Sequence, residues 1–419
     1  MIELFSSPGI LGLVLLGTML GITVGAIPGL TGTMLIALTL PLTFSMEPVS
    51  GLVLLVAMYV GAVSGGLISA TLLRMPGTPA AVMTTLDGYP MASAGRPGRA
   101  LGLGIGASLF GGVISWLALW QLSEPMADWS TRLGPFELFS LVALALALLA
   151  GVGESTRARG LLAGGLGVLA AMPGMHPATG ELRWTFGVTS MNEGFRLIPV
   201  LIGMFAIGKI LEDLTGREGR VETVSGDDSP FIPLSTWKKQ IVNLLRSSGI
   251  GTLIGILPGV GANIGSLAAY VTAKRASGRP EKFGKGSEEG IVASESANNA
   301  TVGGALIPLI ALGIPGSVIG AVLLGALIVH GLQPGPLLFR QNPQAIHAII
   351  GTVLVANVMM YVLMLGGARW IARLSSVPQK ILMPIVAGCC IWGAYALNGL
   401  WFDVGVMLVF GVVGWKMEQ

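Results

Sequence analysis

The sequence predicts an all-α polytopic membrane protein with an inverted internal repeat and helices broken at membrane depth. Three observations lead there. First, apolar residues make up 53% of the 419-residue chain and charged ones only 11%, against about a quarter charged in a soluble domain; the mean hydropathy is +0.78. Second, apolar stretches of spanning length follow one another along nearly the whole chain. Third, "GITVGAIPGLTGTMLIAL" (Gly21–Leu38) recurs as "GTLIGILPGVGANIGSLA" (Gly251–Ala268), each with Pro-Gly inside an apolar run.

A span needs about 20 apolar residues. By that measure the segments lie near 9–44, 51–73, 100–122, 135–153, 158–172, 195–213, 245–271, 291–312, 314–338, 344–368, 379–398 and 399–415, roughly 10–12 crossings or hairpins in all. The longer polar loops, 173–194, 214–244 and 272–290, are too short for a folded soluble domain. The expected organisation is a first membrane repeat over 1–213, a cytoplasmic linker over 214–244 and a second membrane repeat over 245–419.

The segment 9–44 is too long for a single crossing and is cut by Pro28-Gly29, and Pro258-Gly259 falls in the same way inside 245–271. Charge favours re-entrant hairpins over broken spans. Lys238, Lys239 and Arg246 precede the second, and Lys274, Arg275, Arg279, Lys282 and Lys285 follow it, so both its ends belong on the cytoplasmic side. No Lys or Arg precedes Arg74, while Glu3 and Glu47 bracket the first, which places its ends on the opposite side. A second pair of breaks follows in the same order: Pro76-Gly77-Thr78 after Gly65-Gly66, and Pro315-Gly316-Ser317 after Gly303-Gly304. Entry from opposite faces is what an inverted repeat requires.

A helix interrupted in the membrane leaves N–H groups unpaired on the restarting stub and C=O groups on the ending one; such breaks persist only in protein or beside an aqueous cavity. The first kind of stub suits an anion, the second a small cation. Thr31, Gly32, Thr33, Thr78, Gly261, Asn263 and Ser317 stand at the breaks, with Ser266 one turn on. Glu295 and Asn299 share a helix face, and Asn298-Asn299 in an apolar helix offers two amides to an ion or a carboxylate. Arg74 is placed to meet a carboxylate or to snorkel to an interface. Glu288 and Glu289 suit a helix N-terminus, and Asp87 reads as a turn residue.

Other classes are excluded. The net charge of +3 and its scatter over short loops argue against nucleic acid. Cys389 and Cys390 are adjacent and make neither a disulfide framework nor a metal motif. "GRPEKFGKGS" lacks the spacing and the strand of a phosphate loop. His176, His330 and His347 are dispersed, with no HExxH, and nothing assembles a nucleophile with a base. No catalytic residue, metal ligand or cofactor is expected. "MIELFSSPG" has no basic leader region.

At "PGTPAAVMTTLDGYPMASAG" and "FGKGSEEGIVASESANNATVGGALIPLIALGIPGS" the sequence resembles the large membrane subunit of the bacterial tripartite tricarboxylate transporters. "GAIPGLTGTMLIALTLPLTF", "LIGILPGVGANIGSLAAYVTAKRASG" and "HGLQPGPLLF" fit it too, and the resemblance covers essentially the whole chain. It implies a secondary transporter in the bacterial cytoplasmic membrane that imports a small carboxylate on a Na⁺ or H⁺ gradient. The partners it implies are a small membrane subunit, a periplasmic solute-binding protein and the surrounding lipid. Position by position, it puts the binding region at Pro28, Gly29, Thr31, Gly32, Thr33, Pro76, Gly77, Thr78, Pro258, Gly259, Gly261, Asn263, Pro315, Gly316 and Ser317, with Glu295, Asn298 and Asn299. The chain departs from the family at Arg74 (usually Asn), at Ser64-Gly65-Gly66-Leu67 (usually "YGGS"), at Ser294-Glu295-Ser296 (usually "PEA") and at His176 (usually Asp). It also stops at Gln419, where relatives continue through further apolar segments. A non-transporting scaffold subunit and a channel are the alternatives; a channel would show polar rings along successive turns, which are not visible.

Overall fold

The computed structural model describes residues 2–152, 157–176, 179–215, 228–374, 379–396 and 398–418. They are helical almost throughout, as the composition predicts. A short turn α1 (Ile2–Phe5) leads into α2 (Pro8–Ala26), α3 (Gly32–Thr43), α4 (Pro48–Leu72), α5 (Val82–Ser93) and α6 (Pro97–Ser130). Then come α7 (Pro135–Val152), α8 (Arg157–Ala170), α9 (Leu197–Ile202) and α10 (Gly208–Thr215). The later part holds α11 (Leu234–Ile256), α12 (Gly261–Ala276), α13 (Glu288–Leu312), α14 (Val318–Val329), α15 (Pro336–Gln341), α16 (Pro343–Leu374), α17 (Gln379–Ala396) and α18 (Trp401–Glu418). Among the described residues the only strands pair Gly174–Met175 with Leu182–Arg183 in the 173–194 loop.

Among the described residues, four helices are long and apolar enough to cross a membrane: Pro8–Ala26, Pro48–Leu72, Pro97–Ser130 and Pro343–Ala368. Shorter apolar helices include Gly32–Thr43, Gly160–Ala170 and Val318–Val329. Helix α11 starts at Leu234, inside the stretch expected as linker; residues 216–227 of that stretch lie outside the described residues.

The chain forms two compact units, and each draws on sequence from both sides of the 214–244 stretch. One comprises Met1–Ile36, Thr43–Glu137 and Gly219–Val377. Its core is α4 and α13, buried along nearly their whole lengths; the mostly apolar α4 belongs in the interior, and α13 buries polar side chains beside it. Gly17, Gly21 and Gly25 make a small-residue stripe at four-residue spacing on α2, and a Cβ on any of them would run into the α4 backbone. This is the close approach that glycine allows between membrane helices. Ile22, Leu67, Ile68, Leu101, Ile105, Met360 and Met364 fill the space around it.

The other unit comprises Ala37–Leu42, Leu138–Glu218 and Pro378–Gln419. Here a π-helical turn, Gly203–Ile207, joins α9 to α10, and Gly203 and Gly414 give α18 its close contact with that turn. Arg196, ahead of α9, pairs with the buried Asp403 in the first turn of α18 at 3.0 Å and with Glu193 at 2.7 Å. Asn398 Nδ2 also donates to Asp403, at 2.9 Å.

Candidate functional site

All four Pro-Gly segments interrupt helices, and they do so in matched pairs. Helix α2 ends at Ala26. Ile27 turns extended, its N–H bonded to Val24 O at 3.1 Å, and Leu30 N–H bonds Ile27 O at 3.2 Å. Gly29 takes φ 89°, a left-handed value that suits glycine. Thr31 then opens α3, its Oγ1 accepting from Met34 N–H at 3.1 Å. In the second copy α11 ends at Ile256, Leu257 N–H bonds Ile254 O at 3.1 Å, Val260 N–H bonds Leu257 O at 3.4 Å, and Gly259 has φ 76°. The offset is 257 − 27 = 230.

The second pair matches as closely. At the end of α4, Met75 N–H reaches back six residues to Ser69 O at 3.4 Å; at the end of α13, Ile314 N–H reaches Pro308 O at 3.2 Å. A left-handed residue just before each of these amides turns the chain back at the helix end. Gly313 serves at φ 71°, and in the first copy Arg74 serves at φ 56°, an offset of 313 − 74 = 239. Thr78 and Ser317 then lead extended into the restarting helices, Ser317 Oγ accepting from Gly320 N–H at 3.0 Å.

Packing repeats at the same two offsets. A Cβ on Gly21 would strike Met58, and one on Gly251 would strike Ala297; Gly25 meets Ala62 as Gly255 meets Thr301. Gly77 lies on Gly25 O, and Gly316 on Gly255 O. Within each half, then, the second break rests on the carbonyl end of the first. Across the halves, a Cβ on Gly32 would sit 3.2 Å from Ile319 Cδ1, the turn Pro79–Ala81 packs against α12, and Tyr59 Oη meets Ser317 Oγ at 3.1 Å. The four breaks are gathered in one region.

Beside them lies a buried polar cluster on α13. Glu295 is fully buried. Thr84 Oγ1 on α5 and Ser108 Oγ on α6 donate to its carboxylate, the latter at 3.1 Å, and the Asn298 side chain reaches it as well. Asn299 accepts from Ser64 Oγ at 2.6 Å and donates to Glu295 O at 3.2 Å, while Asn298 Nδ2 donates to Val63 O at 3.3 Å. The ion pairs among the described residues join Arg99 to Glu288, Arg196 to Glu193 and Asp403, and Lys209 to Glu212. Glu295 faces neutral donors alone, an arrangement costly inside a membrane and associated with function there.

A sequence profile described as "Tripartite tricarboxylate transporter TctA family" matches residues 11–419. The chain belongs to this family. It is 32% identical over 403 residues, 96% of this chain and 80% of the relative, to an uncharacterized 52.8 kDa protein in the TAR-I ttuC' 3' region of Agrobacterium vitis. A second uncharacterized protein, in the TAR-II ttuC' 3' region of the same organism, is 34% identical over 167 residues, 40% of this chain and 69% of that one. No solved structure matches. As a TctA-family chain it is a multi-pass membrane protein and a subunit of a tricarboxylate transport system, not a member of an enzyme family.

The site residues expected from sequence fall into two groups, with Asn263 and Arg74 apart. Pro28, Gly29, Thr31, Gly32, Thr33, Pro76, Gly77, Thr78, Pro258, Gly259, Gly261, Pro315, Gly316 and Ser317 line the gathered breaks. Glu295, Asn298 and Asn299 form the buried cluster. Asn263 stands exposed on the first turn of α12, and Arg74, also exposed, lies with its guanidinium 5.6 Å from the Tyr89 ring.

Asp87 is not a turn residue. It sits fully buried inside α5, its Oδ1 accepting from Gly284, Gly286 and Ser287 N–H at 2.8, 2.9 and 2.7 Å and its Oδ2 from Tyr270 Oη at 2.8 Å. The glycine-rich loop that fails as a phosphate loop does cradle an anion, but the anion is this side chain. Tyr59, Thr84 and Ser108 have no sequence signal beyond a polar side chain in or beside an apolar run, and many such residues bond only their own helix.

Proposed function

We propose that this chain is the permease subunit of a binding-protein-dependent secondary transporter, importing a small di- or tricarboxylate into a bacterial cell across the cytoplasmic membrane on a Na⁺ or H⁺ gradient. The observation that carries the reading is the convergence of four helix breaks beside a buried carboxylate. Restarting stubs at Thr31, Thr78 and Ser317 offer N–H groups and the positive end of a helix dipole to an anionic substrate. The ending stub at Ile256, together with the oxygens of Glu295 and Asn298, suits the co-transported ion.

The repeated geometry at offsets of 230 and 239 supports two halves of common design, 1–213 and 245–419, inserted with opposite orientation. Transport then moves one bundle against the other around the site. The periplasmic solute-binding protein supplies the carboxylate, the small membrane subunit completes the complex, and no catalytic step is involved.

The test is uptake of labelled di- and tricarboxylates by proteoliposomes holding the complete complex. Uptake is expected only under an ion gradient, and Asn298→Ala and Asn263→Ala are expected to reduce it with membrane insertion intact. Uptake that persists with the gradient collapsed overturns coupling, and wild-type rates in both variants move the site elsewhere. Cysteines replacing Glu47 and Arg279 are expected to label from opposite sides; labelling from one side overturns the inverted arrangement.

A further inference from the structure

Among the described residues, the buried polar atoms without a protein partner include Thr78 Oγ1 and Asn298 Oδ1, both near the breaks. An unsatisfied buried acceptor is rare and calls for an explanation. The internal repeat supplies one. Applying the 239-residue offset to the Tyr59–Ser317 hydrogen bond takes Tyr59 to position 298 (59 + 239) and Ser317 to position 78 (317 − 239). The unpaired atoms therefore occupy the counterpart of a bond that is made on the other side of the pseudo-symmetry. Asparagine is much shorter than tyrosine, so the side chain that closes one contact falls short in the other.

Contacts with α4 place the two residues together independently of that symmetry. Asn298 Nδ2 donates to Val63 O, and a Cβ on Gly66 would lie 2.6 Å from Thr78 Oγ1. Val63 and Gly66 are three residues apart and share a helix face. Asn298 is fully buried and Thr78 partly so, with Pro76 and Pro79 exposed on either side of it. The Glu295 carboxylate, one turn before Asn298 and reached by its side chain, supplies one negative charge.

We propose that Thr78 Oγ1, Asn298 Oδ1 and the Glu295 carboxylate bind a monovalent cation, Na⁺, in the place that the tyrosine hydroxyl fills in the symmetry-related half. Oxygen ligands suit a hard cation. A single positive charge neutralises Glu295, whereas a divalent ion would leave an uncompensated charge buried in the membrane. A substrate carboxylate does not fit, because Asn298 Oδ1 can only accept and Glu295 is itself the anion. The role of this ion in coupling rests on the transport reading above; its binding does not.

The test is ²²Na⁺ binding to the chain purified with its small membrane subunit, with K⁺ and choline as competitors. Saturable Na⁺ binding is expected, weakened about tenfold or more by Asn298→Ala and by the near-isosteric Thr78→Val. Tyr59→Phe, which removes the hydroxyl of the symmetry-related bond, is expected to leave it unchanged. Thermal unfolding of each variant separates loss of the ligand from loss of the fold. Absence of saturable binding by the folded wild type, or equal binding by all variants, overturns the site. Carboxylate uptake driven by a pH gradient in Na⁺-free buffer, without Na⁺ binding, overturns the site while sustaining the transporter. Na⁺ binding without carboxylate uptake by the complete complex does the reverse.

Discussion

Adding one methyl group at Gly77 is expected to drive the first two helix breaks apart. A Cβ built there collides with Gly25 O, lies 2.5 Å from Ser69 Oγ and 3.0 Å from Gly66 Cα. The serine can rotate, but the carbonyl and the Cα belong to α2 and α4, so relief requires backbone movement. Overpacking of this kind costs about 1–3 kcal/mol, and with two fixed backbone contacts Gly77→Ala belongs at about 2–3 kcal/mol, roughly a 30- to 150-fold fall in the folded-to-unfolded ratio. Gly316→Ala probes the matching contact of the second half. Its Cβ lies 2.7 Å from Gly255 O and 2.9 Å from Ala305 Cα, so the cost expected is smaller, about 1–2 kcal/mol. Gly12→Ala is the control: no heavy atom lies within 4 Å of its Cβ, and the change suits a helix interior by up to about 1 kcal/mol. Unfolding of the three variants in mixed micelles, followed by tryptophan fluorescence, gives the order. If Gly77→Ala unfolds with Gly12→Ala, the close approach of the two breaks is not what holds this region together.

Arg74 occupies the left-handed position that Gly313 fills in the other half, so Arg74→Gly should be more stable than Arg74→Ala by about 1 kcal/mol; both lose the Tyr89 contact, and equal or reversed stability in the same unfolding assay contradicts the assignment. Asp87→Ala strands three backbone N–H groups and the Tyr270 hydroxyl, at a cost of about 3 kcal/mol or more, and should open the 278–286 loop to protease. Asp87→Asn keeps one acceptor in place and should cost less. Unchanged protease protection in the alanine variant would mean that the loop is held by something else.

The membrane class, the positions of the four helix breaks and their duplication were legible in the amino-acid order alone. Those are local properties: proline and glycine end a helix wherever they occur, and apolar length declares a span. The family, too, was legible in the motifs around Pro76 and Glu295. How the pieces meet was settled by long-range packing. Thr84 lies 211 residues from Glu295 and Tyr59 lies 258 from Ser317, and no periodicity in a window of one or two helices carries a pairing at that range. Asp87 shows the same limit from the other side. Beside Gly88 and ahead of Pro90 it has the local chemistry of a turn, yet the hydrogen bonds available from the 284–287 loop and Tyr270 draw it into a buried helix.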